Sequence, residues 1–165
     1  MSYFALIGWL QLVASLLVVL LIWLVYSSLV MRFVWVPTTS DSMFPFLVGI
    51  IEFTLIAALD PNLLGQWFLV LALLSGAMTC VSQVILKRAR LDGENEEFFV
   101  NHAPMTRQDF YAPVVTVAGL TSAGVYLLWS RDLGWFSIVM LLCATGLIAY
   151  QMWLNNFYWR RSMNF

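Results

Sequence analysis

The chain has 165 residues, of which 62% are hydrophobic and only 10% charged, with a mean hydropathy of +0.85. Soluble domains carry nearer a quarter of their residues as charges, so this composition excludes an ordinary water-soluble globule. The net charge of −1 is uninformative in itself, and with no basic face to neutralise phosphates a nucleic-acid partner has no support.

No Lys or Arg precedes Arg32, and the first apolar run is longer than the core of a signal peptide. It therefore reads as a retained membrane span. A bilayer-crossing helix needs about 20 apolar residues, and five runs approach or exceed that length: Phe4–Val30, Met43–Leu59, Gln66–Leu86, Phe110–Trp129 and Trp135–Phe157. The fold class predicted is an all-α integral membrane protein with five transmembrane helices. Short, turn-rich connections join the second span to the third at 60–65 and the fourth to the fifth at 130–134. Longer, charged connections run over 32–42 and 87–109.

The basic residues set an orientation. Arg32, Lys87, Arg88, Arg90, Arg107, Arg160 and Arg161 fall on one side of the spans and Arg131 alone on the other. The excess of Lys and Arg on cytoplasmic loops then places the N-terminus outside and the C-terminus in the cytoplasm, as in an inner or cytoplasmic membrane. Trp67, Trp129 and Trp135 would mark the outer interface, and Trp35, Trp153 and Trp159 the inner one.

Sliding the chain against itself by 68 positions reveals an internal repeat: Thr38, Asp41 and Pro45 fall on Thr106, Asp109 and Pro113, Trp67-Phe68 on Trp135-Phe136, and Gln83 on Gln151. The threonines can cap an inbound helix, with the aspartates near its positive end and the prolines near its start. The organisation expected is a single transmembrane domain: 1–37 as first span and connection, 38–86 as one hairpin, 87–105 as a cytoplasmic loop, 106–154 as a parallel copy of the hairpin, and 155–165 as a tail. Shared membrane-hairpin grammar without duplication is the alternative.

Glu52 is the one charge deep within a span. An ionisable group at the bilayer centre costs about 2.5–3.5 kcal/mol on insertion scales, and such groups are functional-site candidates. Its counterpart in the second copy is Leu120, so the hairpin itself does not need the carboxyl. Polar residues at comparable depth are Ser75, Thr79, Thr116 and Ser122, which with Glu52 form a candidate intramembrane polar or ion site; Thr121, Gln11 and Ser15 are further candidates. Gly49, one turn from Glu52, would admit a neighbouring helix. The carboxyl could equally serve as a structural hydrogen-bonding group between helices.

Three stripes of small residues, around Gly76, Gly119 and Gly146, suit close helix packing. Cys80 and Cys143 are expected as two free, buried thiols. His102 is the only histidine, so bis-histidine haem ligation within the chain is excluded. No catalytic constellation, metal-spaced cluster or phosphate loop is present, and neither enzyme activity, metal nor cofactor is expected. In the 87–109 connection, Glu94, Glu96, Glu97 and His102 form a candidate docking surface for a cytoplasmic partner; Phe98-Phe99-Val100 could enter the interface or that partner.

These features predict a small polytopic protein, embedded in the lipid bilayer, that acts as a non-catalytic subunit or scaffold of a homo- or hetero-oligomeric membrane assembly. The alternative is an oligomeric proton- or cation-coupled channel or transporter built around Glu52.

Overall fold

A computed structural model describes the backbone at residues 2–34, 38–101, 107–131 and 134–162, and the side chains at all of these except 40–42, 101, 107–112 and 157–162. Long apolar runs fold into helices because in lipid every backbone N–H and C=O must find its partner within the segment. Six α-helices result among the described residues: α1 (Tyr3–Arg32), α2 (Thr39–Ala57), α3 (Leu64–Ala89), α4 (Glu96–Asn101), α5 (Arg107–Ser130) and α6 (Trp135–Ser162). No strand occurs among the described residues.

Helix ends follow local chemistry. Ser2 caps α1, its Oγ accepting the Ala5 N–H at 3.3 Å. Asp60 accepts the Asn62 N–H at 2.8 Å and opens a 3-10 turn, Pro61–Leu63, that leads into α3. Beyond α5, Arg131 adopts the left-handed region at φ 50° and its N–H returns to the Leu127 carbonyl, a C-terminal cap more usual for glycine.

Among the described residues, four segments are long and apolar enough to cross a membrane: Tyr3–Arg32, Pro61–Ala89, Pro113–Ser130 and Trp135–Asn156. The apolar part of α2, Met43–Ala57, is shorter. The expectation of five spans is therefore met for four. The preceding turn of α2 carries Thr39, Ser40, Asp41 and Ser42, polar residues that extend the helix without extending its apolar length.

Helix direction alternates along the chain. The Tyr3 and Trp135 rings meet at 5.2 Å, so α1 and α6 start at the same end and run parallel. At the other end Arg88 Nη1 donates to Thr38 Oγ1 at 3.2 Å, which sets the start of α2 against the end of α3. Arg32, Lys87, Arg88 and Arg90 all lie towards this second end, hereafter the basic end.

The most extensive packing joins α3 to α5, followed by α1 to α6; α2 lies against α3, whereas α5 and α6 touch little. A reciprocal pair of Gly-x-x-x-Leu segments explains the α3–α5 crossing. A Cβ added at Gly65 would fall 2.8 Å from Leu128 Cγ, and one at Gly124 would fall 2.8 Å from Leu69 Cδ2. Each glycine thus receives the leucine that follows the other by four residues, and the helices approach as small residues in lipid allow. Neither glycine belongs to the stripe cores picked out from sequence. Of those, a Cβ added at Gly76 would meet Val117 Cγ2 at an ordinary 3.9 Å, while Gly119 and Gly146 have open space at the Cβ position.

The core concentrates at the end opposite the basic one. Ile7, Gln11, Leu64, Trp67, Phe68 and Leu71 are all essentially inaccessible there. Trp67 is a correction to the expected aromatic belt: it is fully buried, and its Nε1–H donates to Ser15 Oγ at 3.2 Å, satisfying the indole within the bundle. Trp129 and Trp135, at 91% and 72% exposure, do stand at the surface.

Cys80 and Cys143 are free but exposed, not buried. The outward faces of these helices are as apolar as the inward ones, so a small apolar side chain gains nothing by facing in. Trp9, Leu16, Trp23, Phe53 and Leu73 are likewise more than half exposed. A water-soluble monomer rarely presents so much contiguous apolar surface.

Candidate intramembrane site

The polar residues proposed from sequence separate into two places. Ser75, Thr79 and Thr116 line a cavity of about 330 Å³ between α1, α3, α5 and α6, whereas Glu52 and Ser122 do not. The structure therefore brings three of the five together and leaves the other two apart.

The cavity has a polarity gradient along the helix axes. Towards the core its walls are Val18, Leu74, Leu120, Ala144 and Ile148; towards the basic end they include Ser82, Gln83, Gln151 and Asn155. From Leu74 to Gln83 it spans about 13 Å of helix rise. Gln151 Nε2 lies 3.5 Å from Thr116 Oγ1, a long hydrogen bond that bridges α6 and α5 where their backbones diverge. Gln83 and Asn155 make no hydrogen bond to any described residue. Hydroxyls nearby are satisfied by their own helices: Thr79 Oγ1 donates to the Ser75 carbonyl at 2.7 Å. Ser122 does the same to Ala118 at 2.8 Å, on the exposed side of α5. Such back-bonding is how a helix accommodates Ser and Thr in lipid, and it leaves Ser122 without a part in the cavity.

Gln83 and Gln151 are the pair matched by the 68-residue register, and both reach the cavity. Sequence reading placed them near the ends of their spans but not in the site. The signal was present: an amide pair at equivalent depth in two apolar helices.

Glu52 is half-buried, at the edge of the α2 face that Val48, Ile51 and Leu55 turn to the bundle and on the side nearer Gly49. Its carboxyl makes no hydrogen bond or ion pair to a described residue. Gly49 is exposed, and nothing lies within 4 Å of its Cβ position. Among the described residues, no helix uses the approach that Gly49 permits.

Gln11, a further candidate, is 0% exposed on α1, and both its amide atoms lack a hydrogen-bond partner. It lies one turn from Ser15, whose hydroxyl accepts from Trp67.

At the basic end, the connection after α3 is pinned down by Asn95. Its Oδ1 accepts the Val34 N–H at 3.0 Å, and its Nδ2 donates to the carbonyls of Val34 at 2.7 Å and Ala89 at 2.9 Å. Phe98 and Phe99 pack on Phe33 with ring centroids at 4.9 and 5.4 Å, so they are committed within the chain. Arg90 stands 5.2 Å over the Phe99 ring. Glu94, Glu96 and Glu97 are exposed, leaving the acidic part of the candidate docking surface accessible; His102 lies outside the described residues. On the same end Arg32 is half-buried, and its Nε and Nη2 are buried without a hydrogen-bond partner among the described residues.

Fold and surface together define an all-helical, multi-pass membrane protein. No family model, curated protein or solved structure significantly matches the chain.

Proposed function

We propose that the protein is a non-catalytic subunit or scaffold of a larger membrane assembly, joined to its neighbour through the outer face of α2, with the basic end in the cytoplasm. The observation that carries this reading is Glu52: a carboxyl in an apolar helix, half-buried and without a partner among the described residues. Intramembrane ionisable groups pair with one another or with polar groups of the bundle. Gly49 lies three residues away with free space before it, flanked by Phe46, Ile50 and Phe53, all about half exposed or more. A second helix seated on Gly49 would bring a donor to the Glu52 carboxyl. The exposed Glu94, Glu96 and Glu97 offer a second, cytoplasmic contact for the same assembly.

The test compares Glu52→Leu and Gly49→Ile with the parent chain, purified from membranes in a mild detergent and sized by light scattering together with its co-purifying subunits. Both variants should lose the assembly while the protomer stays helical and monodisperse, and Glu52→Gln, which retains hydrogen-bonding capacity, should keep it. Full assembly in both Glu52→Leu and Gly49→Ile would overturn the reading. Should Glu52→Gln assemble normally but abolish ion flux in reconstituted vesicles, the oligomeric proton- or cation-coupled channel replaces the scaffold.

A further inference from the structure

The cavity and Arg32 belong to a different part of the molecule from α2 and raise a separate question. Two buried guanidinium nitrogens with no hydrogen-bond partner among the described residues are costly. The position of Arg32 gives them a use. Arg32 follows Val25 by seven residues and Leu21 by eleven, intervals that return within about 20° to the same face of an α-helix. Leu21 and Val25 both line the cavity. Arg32 itself does not line the cavity; because side chains on a helix lean towards its N-terminus, its place in the last turn of α1 directs it back along this face, on the side of the polar mouth formed by Gln83, Gln151 and Asn155.

We propose that the cavity is a binding site for an anionic phospholipid from the leaflet at the basic end, one acyl chain entering between the two helix pairs and the phosphate held by Arg32 and the amides at the mouth. Three properties select this occupant. The inner wall is apolar, made by Val18, Leu74 and Leu120, and offers an alkyl chain nothing to desolvate. The mouth carries unused donors: Gln83 and Asn155 have no hydrogen bond among the described residues, and a phosphate presents several acceptor oxygens. A guanidinium matches phosphate geometry through paired N–H donors, and Nε with Nη2 is one such edge. The volume of about 330 Å³ lies at the small end of ligand pockets, enough for part of one chain and not for a whole lipid. The rest of the lipid would stay in the leaflet.

Native mass spectrometry on the purified full chain tests this, with equimolar phosphatidylglycerol and phosphatidylcholine of the same acyl chains added to delipidated protein. The parent should retain one phosphatidylglycerol in preference to phosphatidylcholine by about tenfold or more, the factor expected for a hydrogen-bonded charge pair. Arg32→Gln should abolish that preference, and Arg32→Lys should keep part of it. Thr79→Leu, which fills the cavity wall, should reduce retention of both lipids. Octyl phosphate should compete with phosphatidylglycerol, whereas inorganic phosphate at the same concentration should not.

Equal retention of the two lipids by the parent, or an unchanged preference in Arg32→Gln, would overturn the proposal. Displacement by inorganic phosphate alone would also overturn it, since that marks a simple anion site with no role for the cavity. If Thr79→Leu fails to fold, the Arg32 pair and the competition still decide the matter. Loss of α2-mediated assembly leaves all of these readouts in place, so the two proposals fail independently.

Discussion

Four glycine-to-alanine substitutions should separate by sign, and the separation tests the helix packing directly. At Gly65 the new Cβ would stand 2.8 Å from Leu128 Cγ and 2.9 Å from the Leu128 backbone nitrogen. At Gly124 it would stand 2.8 and 2.9 Å from Leu69 side-chain atoms and 3.0 Å from the Gly65 carbonyl oxygen. Carbon contacts are optimal at about 3.5–4.0 Å, so α3 and α5 must part by several tenths of an ångström. The leucine side chains can rotate, but the backbone atoms cannot. Overpacking of this kind costs about 1–3 kcal/mol. The intrinsic gain of Ala over Gly inside a helix, about 1 kcal/mol, is smallest at Gly65, the second residue of α3. Gly65→Ala should therefore lose about 1–2 kcal/mol and Gly124→Ala slightly less. Gly119→Ala and Gly146→Ala, with nothing near the added methyl, should gain up to about 1 kcal/mol. Reversible unfolding in mixed micelles, titrated with a denaturing detergent and followed by circular dichroism, measures all four on one scale. A Gly65→Ala chain as stable as its parent would refute the close crossing. A destabilised Gly119→Ala would show that its open face is occupied.

Two further substitutions probe polar groups in the bundle. Gln11→Met keeps a similar volume and removes a fully buried amide without partners, so it should raise stability by about 1–3 kcal/mol in the same titration; a loss instead would show that the amide has a partner such as an ordered water. Asn95→Ala removes three hydrogen bonds and should cost about 1–3 kcal/mol. Amide exchange at Val34 should accelerate in the same variant, while that in the middle of α3 should not, and an unchanged Val34 would rule out the clamp.

Helix positions were readable because apolar runs in lipid have one economical solution, and each expected span lies within a few residues of a helix. Helix partners were not. In a soluble bundle the polar face tells each helix where to point, but the outward faces here are as apolar as the inward ones. Trp67 and Trp135 match in the 68-residue register, yet one is fully buried and the other 72% exposed. Cys80 and Cys143 were placed inside on composition and turn out exposed for the same reason. The small-residue stripes pointed at Gly119 and Gly146, whereas the tight crossing uses Gly65, read as part of a turn, and Gly124, one residue beyond a stripe. The repeated Gly-x-x-x-Leu spacing was the available signal. Within the candidate site, Ser75, Thr79 and Thr116 were found by depth alone. Arg32 was counted only for orientation, because nothing in a sequence shows that a guanidinium ends up buried and unpaired.

The cavity is itself a consequence of how the helices pair. The α3–α5 crossing is fixed by interlocking glycines and leucines, and α1 packs along α6. Between these pairs the backbones stand further apart, and contact falls to side chains such as Trp67 reaching Ser15. At that level Trp67, Phe68 and Leu64 are large enough to fill the gap. Two to four turns further along α3, the inward residues shrink to Ser75, Thr79 and Ser82, and α6 offers Ala144. The helices cannot close over the deficit, since doing so would break the crossing at one end or crush the aromatic layer at the other. The space therefore persists where the side chains are small and polar. In a bilayer, the molecules at hand to fill it are lipids, and Arg32, beyond the mouth on the same face of α1, would select among them by charge.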